Sequence, residues 1–296
     1  EASNYLIMDQ KALLIFNPKS GSDPISLEEL TERIAMHLNQ AELSVFQTTG
    51  ENDADKIRQE INKHNPSLLL VAGGDGTVKL VAESLQTQLP IAILPLGSAN
   101  GLAKCLGIDL LEDGLEALRQ LKVKNVDGID INGELCLHLA DFGFNANLIE
   151  KFEEQGTRGM MGYIKSSFSQ IFETEPYRYL IKTKDENWEV STRMLLIANG
   201  DRFGTGAIVN PGGSLDDGKF ELITLDVERL EHLFEVGKSL VSGETPIGES
   251  MKIWKLDSCK IENLDQVNFQ IDGELKGQPE EITVHIQAAR FQFVVK

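Results

Sequence analysis

Short apolar runs alternate with amphipathic segments through the first 125 residues of the chain. Ser67–Ala72 is a continuous apolar run, which is typical of a strand buried on both faces. Leu27–Leu38 instead places its apolar residues at helical spacing. Repeated strand–helix units with short connections predict a doubly wound parallel sheet. The predicted strands are Lys11–Phe16, Leu43–Thr48, Ser67–Ala72 and Ile91–Leu94, and the predicted helices are Leu27–Leu38, Asp53–His64, a segment ending at about Leu85, Ala99–Cys105 and Leu111–Leu121.

The pattern changes near Asn125, where strand-like runs follow one another. Val126–Ile131 and Leu135–Ala140 flank Asn132-Gly133, which is typical of a tight hairpin turn. We predict an α/β domain over residues 1–125 and an antiparallel β-sandwich over residues 126–296, whose last strand could return to the first domain. The remaining predicted elements are a helix over Gly159–Phe172 and strands at Arg178–Lys184, Trp188–Asn199, Lys219–Leu225, Val267–Ile271, Ile282–Ile286 and Phe291–Val295.

Charge and composition narrow the class of protein. The 296 residues include 28 Lys+Arg against 46 Asp+Glu, a net charge of −18 at pH 7. This acidity argues against a nucleic-acid partner and against simple electrostatic docking on an anionic membrane. No apolar run approaches the roughly 18 residues of a membrane span, and no signal peptide is visible, so a cytoplasmic protein is expected. Three widely spaced cysteines argue against disulfides or structural zinc.

A glycine-rich turn, Gly73-Gly74-Asp75-Gly76-Thr77, follows the third predicted strand and opens a helix. Glycines let the backbone approach a ligand closely, and N–H groups at a helix N-terminus can hold phosphate oxygens. Asp75 would repel a bare phosphate, so it fits either orientation of the loop or contact with a phosphate-bound Mg²⁺. The alternative is an ordinary strand-to-helix turn with a side-chain cap.

Two further polar loops follow predicted strands at the same edge of the sheet, where ligands bind in open α/β folds. Lys19 in the first loop could supply positive charge, while Ser98 and Asn100 in the other could donate hydrogen bonds. Convergence of three such loops favours a binding site. With Thr48 at the end of the second strand, the candidate cofactor-binding residues are Asn17, Pro18, Lys19, Ser20, Gly21, Thr48, Gly73, Gly74, Asp75, Gly76, Thr77, Gly97, Ser98 and Asn100.

One apparent nucleotide-binding motif does not qualify. Gly213–Lys219 fits the GxxxxGK spacing of a P-loop, but Phe220 stands where Ser or Thr is needed, and two carboxylates lie within the loop. No GxGxxG is present either, so a standard dinucleotide fingerprint is absent.

In their order along the chain, the polar loops resemble those of the diacylglycerol kinase catalytic-domain superfamily, which includes bacterial lipid kinases and sphingosine kinases. Each match is weak alone, but the ordered set spans nearly the whole chain. The matching segments are Asn17–Gly21, Gly73–Thr77, Pro95–Asn100, Asp127 at the start of a strand, Gly143-Phe144-Asn145-Ala146, Asn210-Pro211, Asp217-Gly218-Lys219-Phe220 and Asp272-Gly273-Glu274.

The resemblance implies an ATP-binding α/β domain, a β-sandwich domain, an active site in the cleft between them, and transfer of the ATP γ-phosphoryl group to a lipid hydroxyl. Glu274 matches the catalytic base of the family. Asp75 and Asp127 match acidic residues that organise Mg²⁺ and its waters. A structural Mg²⁺ would map to the Asp217 carboxylate and the carbonyls of Ser214 and Lys219. Without the resemblance, Asp272-Gly273 indicates a hairpin turn, and Asp216–Gly218 a polar turn.

The sequence also departs from the family pattern. Gly101 stands where a carboxylate often follows Asn100, and Lys79-Leu80 replace an Asn-Glu pair that often follows the glycine-rich turn. Ser98 and the small residue after Asn100 look closer to sphingosine kinases. These departures suggest an altered substrate or weak activity.

Two alternatives to an ATP- and Mg²⁺-dependent lipid kinase stay open. An NAD kinase shares the GGDGT turn, and a catalytically silent nucleotide- or lipid-binding protein would explain the departures. The expected partner is a lipid substrate, met in transient contact with a membrane surface, and the protein could form a homodimer. Residues 151–168, with Met160 and Met161 among basic side chains, could touch a membrane, although a helix packed on the second domain is the simpler interpretation.

Overall fold

The structure is a computed structural model that describes residues 11–21, 25–38, 41–143, 175–202, 210, 212–225 and 251–296. The chain divides into two compact units, one comprising Glu1–Val126 and Ala289–Lys296 and the other comprising Asp127–Ala288. Cys105, Cys136 and Cys259 form no disulfide bond with one another. Within the described residues, no helix is long and apolar enough to cross a membrane.

The first unit is built on a parallel sheet. Its four N-terminal strands pair in the order β2-β1-β3-β4, and the end of the last strand of the chain pairs with β4 through Gln292 and Phe293, also in parallel. The strands are β1 (Lys11–Phe16), β2 (Glu42–Gln47), β3 (Leu68–Gly73) and β4 (Pro90–Pro95), and the helices are α1 (Leu27–His37), α2 (Asp53–His64), α3 (Asp75–Ser84), α4 (Gly101–Cys105) and α5 (Leu111–Gln120).

Helices cover the central strands on both faces, which explains why β3 is buried at every position. Alternate side chains such as Leu14 and Leu70 pack with Leu30 of α1 and Leu118 of α5. The intervening side chains are equally buried, and α2 packs beside α3. The predicted doubly wound α/β architecture is confirmed.

The second unit contains antiparallel strands in two sheets. In one, the first part of β16 pairs with β13, followed by β8 and β9, and β5 pairs with β6; in the other, the order is β12-β11-β10-β7-β14-β15. The strands are β5 (Lys122–Ile131), β6 (Glu134–Cys136), β7 (Leu139–Phe142), β8 (Tyr177–Lys182), β9 (Asn187–Thr192), β10 (Met194–Ala198), β11 (Phe220–Leu225), β12 (Met251–Leu256), β13 (Ser258–Asn263), β14 (Phe269–Ile271), β15 (Glu274–Leu275) and β16 (Glu281–Val295).

One apolar core joins these two sheets. Tyr179 and Ile261 contribute from the first sheet, and Phe142, Phe220 and Phe269 contribute from the second. The rings of Phe142 and Phe269 lie 4.5 Å apart between centroids. Because both inner faces fill one core, the predicted β-sandwich is confirmed.

Three predicted strand boundaries are wrong. Trp188–Asn199 divides at Arg193 into β9 and β10, which belong to different sheets. Leu135–Ala140 divides at Leu137-His138 into β6 and β7. Conversely, the two runs predicted after Ile282 form the single strand β16. Hydrophobic periodicity does not reveal where a chain turns from one sheet to the other. It also does not reveal strand pairing that continues through polar residues. The predicted helix Gly159–Phe172 and the segment with Met160 and Met161 lie outside the described residues.

Candidate functional site

Polar loops from three strands of the first unit form the wall of one pocket of about 370 Å³. That volume falls within the roughly 300–1,000 Å³ common for small-molecule sites. The first loop follows β1, the second follows β2, and the third is the glycine-rich turn between β3 and α3. The lining residues are Asn17, Lys19, Ser20, Thr48, Thr49, Gly50, Asp53, Gly74, Gly76, Thr77 and Leu80.

Side-chain hydrogen bonds lock the first loop onto the glycine-rich turn. Asn17 Nδ2 donates to Thr77 Oγ1 at 3.1 Å, and the Gly74 N–H donates to Ser20 Oγ at 3.2 Å. Gly21 has φ +77°, and a Cβ there would collide with the carbonyl oxygen of Leu96. The chain therefore needs glycine at that position for the first loop to close against the loop that follows β4.

The loop after β4 supports the glycine-rich turn from behind. Backbone atoms of Gly97 and Gly74 lie so close that a Cβ on Gly97 would be 2.5 Å from the Gly74 Cα. Asn100, at φ +57°, closes this loop by accepting from the Gly97 N–H at 3.0 Å and donating to the Gly97 carbonyl at 2.7 Å. This left-handed residue is why α4 begins at Gly101, two residues after the predicted start of the helix.

Asp75 anchors the start of α4. Its Oδ2 accepts from the Gly101 N–H at 3.0 Å, and its Oδ1 accepts from the Leu102 N–H at 3.2 Å. Both are donors that a helix N-terminus leaves without an intrahelical partner. Gly101, which departs from the family pattern, thus donates its backbone N–H to Asp75. Through these two hydrogen bonds, Asp75 connects the glycine-rich turn to the loop after β4.

The structure therefore brings seven of the predicted cofactor-binding residues to the pocket wall, while the other seven lie outside the wall, in the loops after β1 and β4 and in the glycine-rich turn. The wall residues are Asn17, Lys19, Ser20, Thr48, Gly74, Gly76 and Thr77; the others are Pro18, Gly21, Gly73, Asp75, Gly97, Ser98 and Asn100. The sequence analysis missed Thr49, Gly50, Asp53 and Leu80. The Thr48-Thr49-Gly50 segment could have indicated these residues, because it follows β2 at the same edge of the sheet as the other pocket loops.

Among the described residues of that wall, Asp53 is the carboxylate. Only 7% of its surface is exposed, and it accepts hydrogen bonds from the N–H groups of Thr49 and Gly50. Burial alone would raise the pKa of Asp53, but the hydrogen bonds from Thr49 and Gly50 hold it below its ordinary value. Asp53 is therefore ionised at neutral pH.

Asp127, in the second unit, is a buried backbone anchor with 1% of its surface exposed. Its Oδ2 accepts from the Gly218 N–H at 2.7 Å, and its own N–H donates to the Leu215 carbonyl at 2.6 Å. Asn199 Nδ2 donates to the Asp127 carbonyl at 2.8 Å. These contacts hold the start of the sandwich against the loop before β11.

The Asp272-Gly273 pair forms a hairpin turn between β14 and β15, with both residues at positive φ. The Asp272 carboxylate also accepts from the N–H groups of Leu137, His138 and Leu139, at 3.0 to 3.2 Å. These three hydrogen bonds connect Asp272 to the segment between β6 and β7 and so fix the Asp272-Gly273 turn.

The turn leaves Glu274 exposed at the start of β15, with Lys276 Nζ 2.9 Å from its Oε2. Lys276 also pairs with Glu134. Burial alone would lower the pKa of Lys276, but its bonds to Glu134 and Glu274 raise it, so this ammonium remains charged beside Glu274.

An ammonium occupies the place where the resemblance puts a structural Mg²⁺. Lys255 Nζ lies 2.7 Å from Asp217 Oδ2 and 3.4 Å from Oε1 of the fully buried Glu221. The Lys219 N–H donates to the other Asp217 oxygen at 3.1 Å. Burial raises the pKa of Glu221, against the opposing influence of Asn210 and Lys255. A divalent cation would have to displace Lys255, so Asp217, Ser214 and Lys219 do not fit a metal in this arrangement.

The described residues contain no group of three or more His, Cys, Asp or Glu side chains placed to hold a metal ion. Phe144, Asn145 and Ala146 of the predicted glycine-phenylalanine turn, and Pro211, lie outside the described residues. Gly143 is described, at φ +93°, and a Cβ there would collide with the Arg193 carbonyl oxygen.

Residues 11–132 match the diacylglycerol kinase catalytic domain, and residues 140–291, more than half of the chain, match the YegS C-terminal NAD kinase beta sandwich-like domain. The chain belongs to this diacylglycerol kinase-like family. Its curated relatives include two proteins named "Probable lipid kinase YegS-like". The one from Pseudomonas aeruginosa is 26% identical over 95% of both chains, and the one from Alcanivorax borkumensis is 27% identical over 96% of this chain and 95% of its own.

Solved structures share the diacylglycerol kinase-like fold. A diacylglycerol kinase from Bacillus anthracis is 19% identical and has a TM-score of 0.68, and two further structures from that organism have TM-scores of 0.79 and 0.74 at 22% and 23% identity; each comparison covers 97% of both chains. An Archaeoglobus fulgidus NAD kinase in complex with ATP is more distant, at 13% identity and a TM-score of 0.53, covering 96% of this chain and 93% of its own.

Proposed function

We propose that this diacylglycerol kinase-like protein is an ATP- and Mg²⁺-dependent lipid kinase that transfers the γ-phosphoryl group of ATP to a lipid hydroxyl. The observation that carries this proposal is the pocket of the first unit, in which three polar loops and a helix N-terminus meet. Family membership and the names of the curated relatives support a lipid as the acceptor.

The pocket suits the phosphates of a nucleotide. The N–H groups of Asp75 and Gly76 begin α3 and lie at the positive end of its dipole, whereas the Thr77 N–H already donates to the Gly74 carbonyl at 2.9 Å. Gly76 lines the pocket without a side chain, and the space where a Cβ would stand is open to 4 Å, so a ligand can approach the backbone there. Lys19 adds a cation to the wall, which an acidic protein needs in order to hold an anion.

ATP, when bound, supplies the γ-phosphoryl group, and Mg²⁺ neutralises charge on its phosphates. Such an ion usually keeps several waters and binds through phosphates and one or two carboxylates, so it would enter with the nucleotide. Asp75 is the proposed carboxylate in the first unit, and its hydrogen bonds to Gly101 and Leu102 hold it in one orientation.

Glu274 is the proposed base that accepts the proton of the lipid hydroxyl. Its carboxylate is exposed on a hairpin whose turn is fixed by Asp272, so it is accessible while its backbone is held. The Lys276 ammonium is the charged partner of the Glu274 carboxylate. The buried Asp127 fits a supporting role, because it organises the loop before β11.

An acceptor screen tests this function. Purified protein with ATP and Mg²⁺ is offered diacylglycerol, sphingoid bases, ceramide, phosphatidylglycerol and NAD, and phosphorylated products are identified by mass spectrometry. The proposal expects a phosphorylated lipid and no NADP. NADP as the only product would favour an NAD kinase, and ATP binding without any product would favour a silent binding protein.

A further inference from the structure

The carboxylate of Asp53 points toward the loop that precedes its own helix, α2. Both of its oxygens lie 3.0 Å from the Thr49 nitrogen, Oδ2 accepts from the Gly50 N–H at 2.7 Å, and Oδ1 accepts from Thr49 Oγ1 at 2.9 Å. The same loop residues and Asp53 itself line the pocket of the first unit.

The loop has an unusual backbone that calls for such an anchor. Gly50 has φ +88°, and Asn52, the residue before α2, has φ +52° and makes no side-chain hydrogen bond to cap the helix. Glycine adopts a positive φ without strain, so the conformational cost of this loop lies at Asn52. The Asp53 carboxylate offsets this cost by satisfying the N–H groups of Thr49 and Gly50.

The charge of Asp53 is already matched within the protein. Its oxygens point at two N–H groups and a hydroxyl, and that hydroxyl in turn accepts from Lys56 Nζ at 2.8 Å. A negative group in the wall of an anion-binding pocket would repel phosphate if it faced the ligand. Bound in this way, it shapes the wall without acting as a ligand.

We propose that Asp53 is a positioning residue for nucleotide binding, which holds the Thr48-Thr49-Gly50 loop in the conformation that forms one wall of the pocket. This inference rests on the proposed function only for the identity of the ligand as ATP. The ordering of the loop by Asp53 is a property of the protein without nucleotide.

The test compares D53N with D55N. Asn at position 53 keeps one acceptor oxygen but turns an NH₂ group toward the N–H groups of the loop. Asp55 lies on the same helix, is exposed and pairs with Arg58 at 3.1 Å, so D55N removes a charge of the same helix without touching the loop. Two quantities are measured: amide hydrogen exchange at Thr49 and Gly50, and the Kd for ATP by calorimetry.

In D53N we expect the Thr49 and Gly50 amides to exchange faster and the Kd for ATP to rise about tenfold, as loss of a charge-assisted hydrogen bond implies. In a kinase assay, KM for ATP should rise while kcat and KM for lipid change little. D55N should match the wild type throughout. D53E, which keeps the carboxylate, should recover part of both losses.

A folded D53N with wild-type exchange and wild-type Kd overturns the inference and leaves the proposed function standing. Wild-type protein that fails to bind ATP overturns the proposed function, and with it the nucleotide role of Asp53. If D53N does not fold, D53E provides the test. The protection of the Thr49 and Gly50 amides from exchange and the affinity for ATP should then fall together or be retained together. A change in only one of these two quantities would contradict a positioning role for Asp53.

Discussion

At the residue scale, the carboxylates that look alike in the sequence have separate tasks. Asp75 holds the start of α4, Asp127 and Asp272 hold backbone N–H groups in the second unit, and Asp217 pairs with Lys255. Glu274 is exposed at the start of β15 and is therefore accessible to an incoming hydroxyl, as a proton acceptor must be.

Glu274→Gln is expected to lower kcat by about 10²–10⁴-fold, the usual contribution of a general base, with little change in the melting temperature. The comparison variant is Glu280→Gln, an exposed glutamate shortly after β15, which should retain activity. Steady-state kinetics on the best lipid acceptor measures both. Wild-type kcat in E274Q would remove Glu274 from the proposed role.

Asp75→Ala should abolish activity and also destabilise the first unit, because it leaves the Gly101 and Leu102 N–H groups without their acceptor. We expect a loss of about 1–3 kcal/mol in the free energy of unfolding. Urea denaturation followed by circular dichroism measures the stability. An unchanged midpoint in D75A would show that these two hydrogen bonds contribute little.

At the scale of elements, close approach between two loops is the feature that shapes the pocket. Gly97→Ala would place a methyl group 2.5 Å from the Gly74 Cα, and we expect a destabilisation of about 1–3 kcal/mol. Gly76 offers a contrast, because a Cβ there meets nothing within 4 Å and its φ is not positive. Thermal melts should show a lower melting temperature for G97A than for G76A; equal values would contradict the tight contact.

The Lys255 ammonium predicts that the site at Asp217 and Glu221 needs no structural metal. EDTA or millimolar Mg²⁺ should leave the melting temperature of the wild type unchanged in the absence of nucleotide. Lys255→Met should lower the free energy of unfolding by about 1–2 kcal/mol, because it leaves the buried Glu221 carboxylate without its ammonium partner. The loss stays in this range because the Lys255 side chain is half exposed to solvent.

The control for Lys255 is Lys252→Met, on the same strand and exposed, which should behave as the wild type. A wild-type melting temperature that falls in EDTA and recovers with Mg²⁺ would indicate a metal at Asp217 and Glu221 instead of the ammonium.

At the scale of the whole molecule, the sequence predicted the two architectures and the pocket loops that follow β1 and β3, because both depend on local patterns. Continuous apolar runs indicated the buried parallel strands, and glycines marked the close approach of Gly74. The contact between Gly74 and Gly97 depends on how two loops meet across 23 positions of sequence, and no pattern encodes that meeting.

The missed features arise from tertiary contacts of the same kind. Asp53 looks like an ordinary residue at a helix start, and only the fold turns its carboxylate toward Thr49 and Gly50. Likewise, nothing in the spacing of Asp217 and Lys255 indicates that strands β11 and β12 bring them together. The change of sheet at Arg193 is invisible for the same reason.

The proposed reaction moves the γ-phosphoryl group of ATP to a lipid hydroxyl. The most direct measurement incubates the wild type and E274Q with mixed lipid vesicles and ATP carrying its label at the γ-phosphate or, in parallel, at the α-phosphate. We expect labelled lipid from the γ-labelled ATP only, and strongly reduced labelling by E274Q. Absence of labelled lipid from every acceptor, or label that arrives from the α-phosphate, would contradict it.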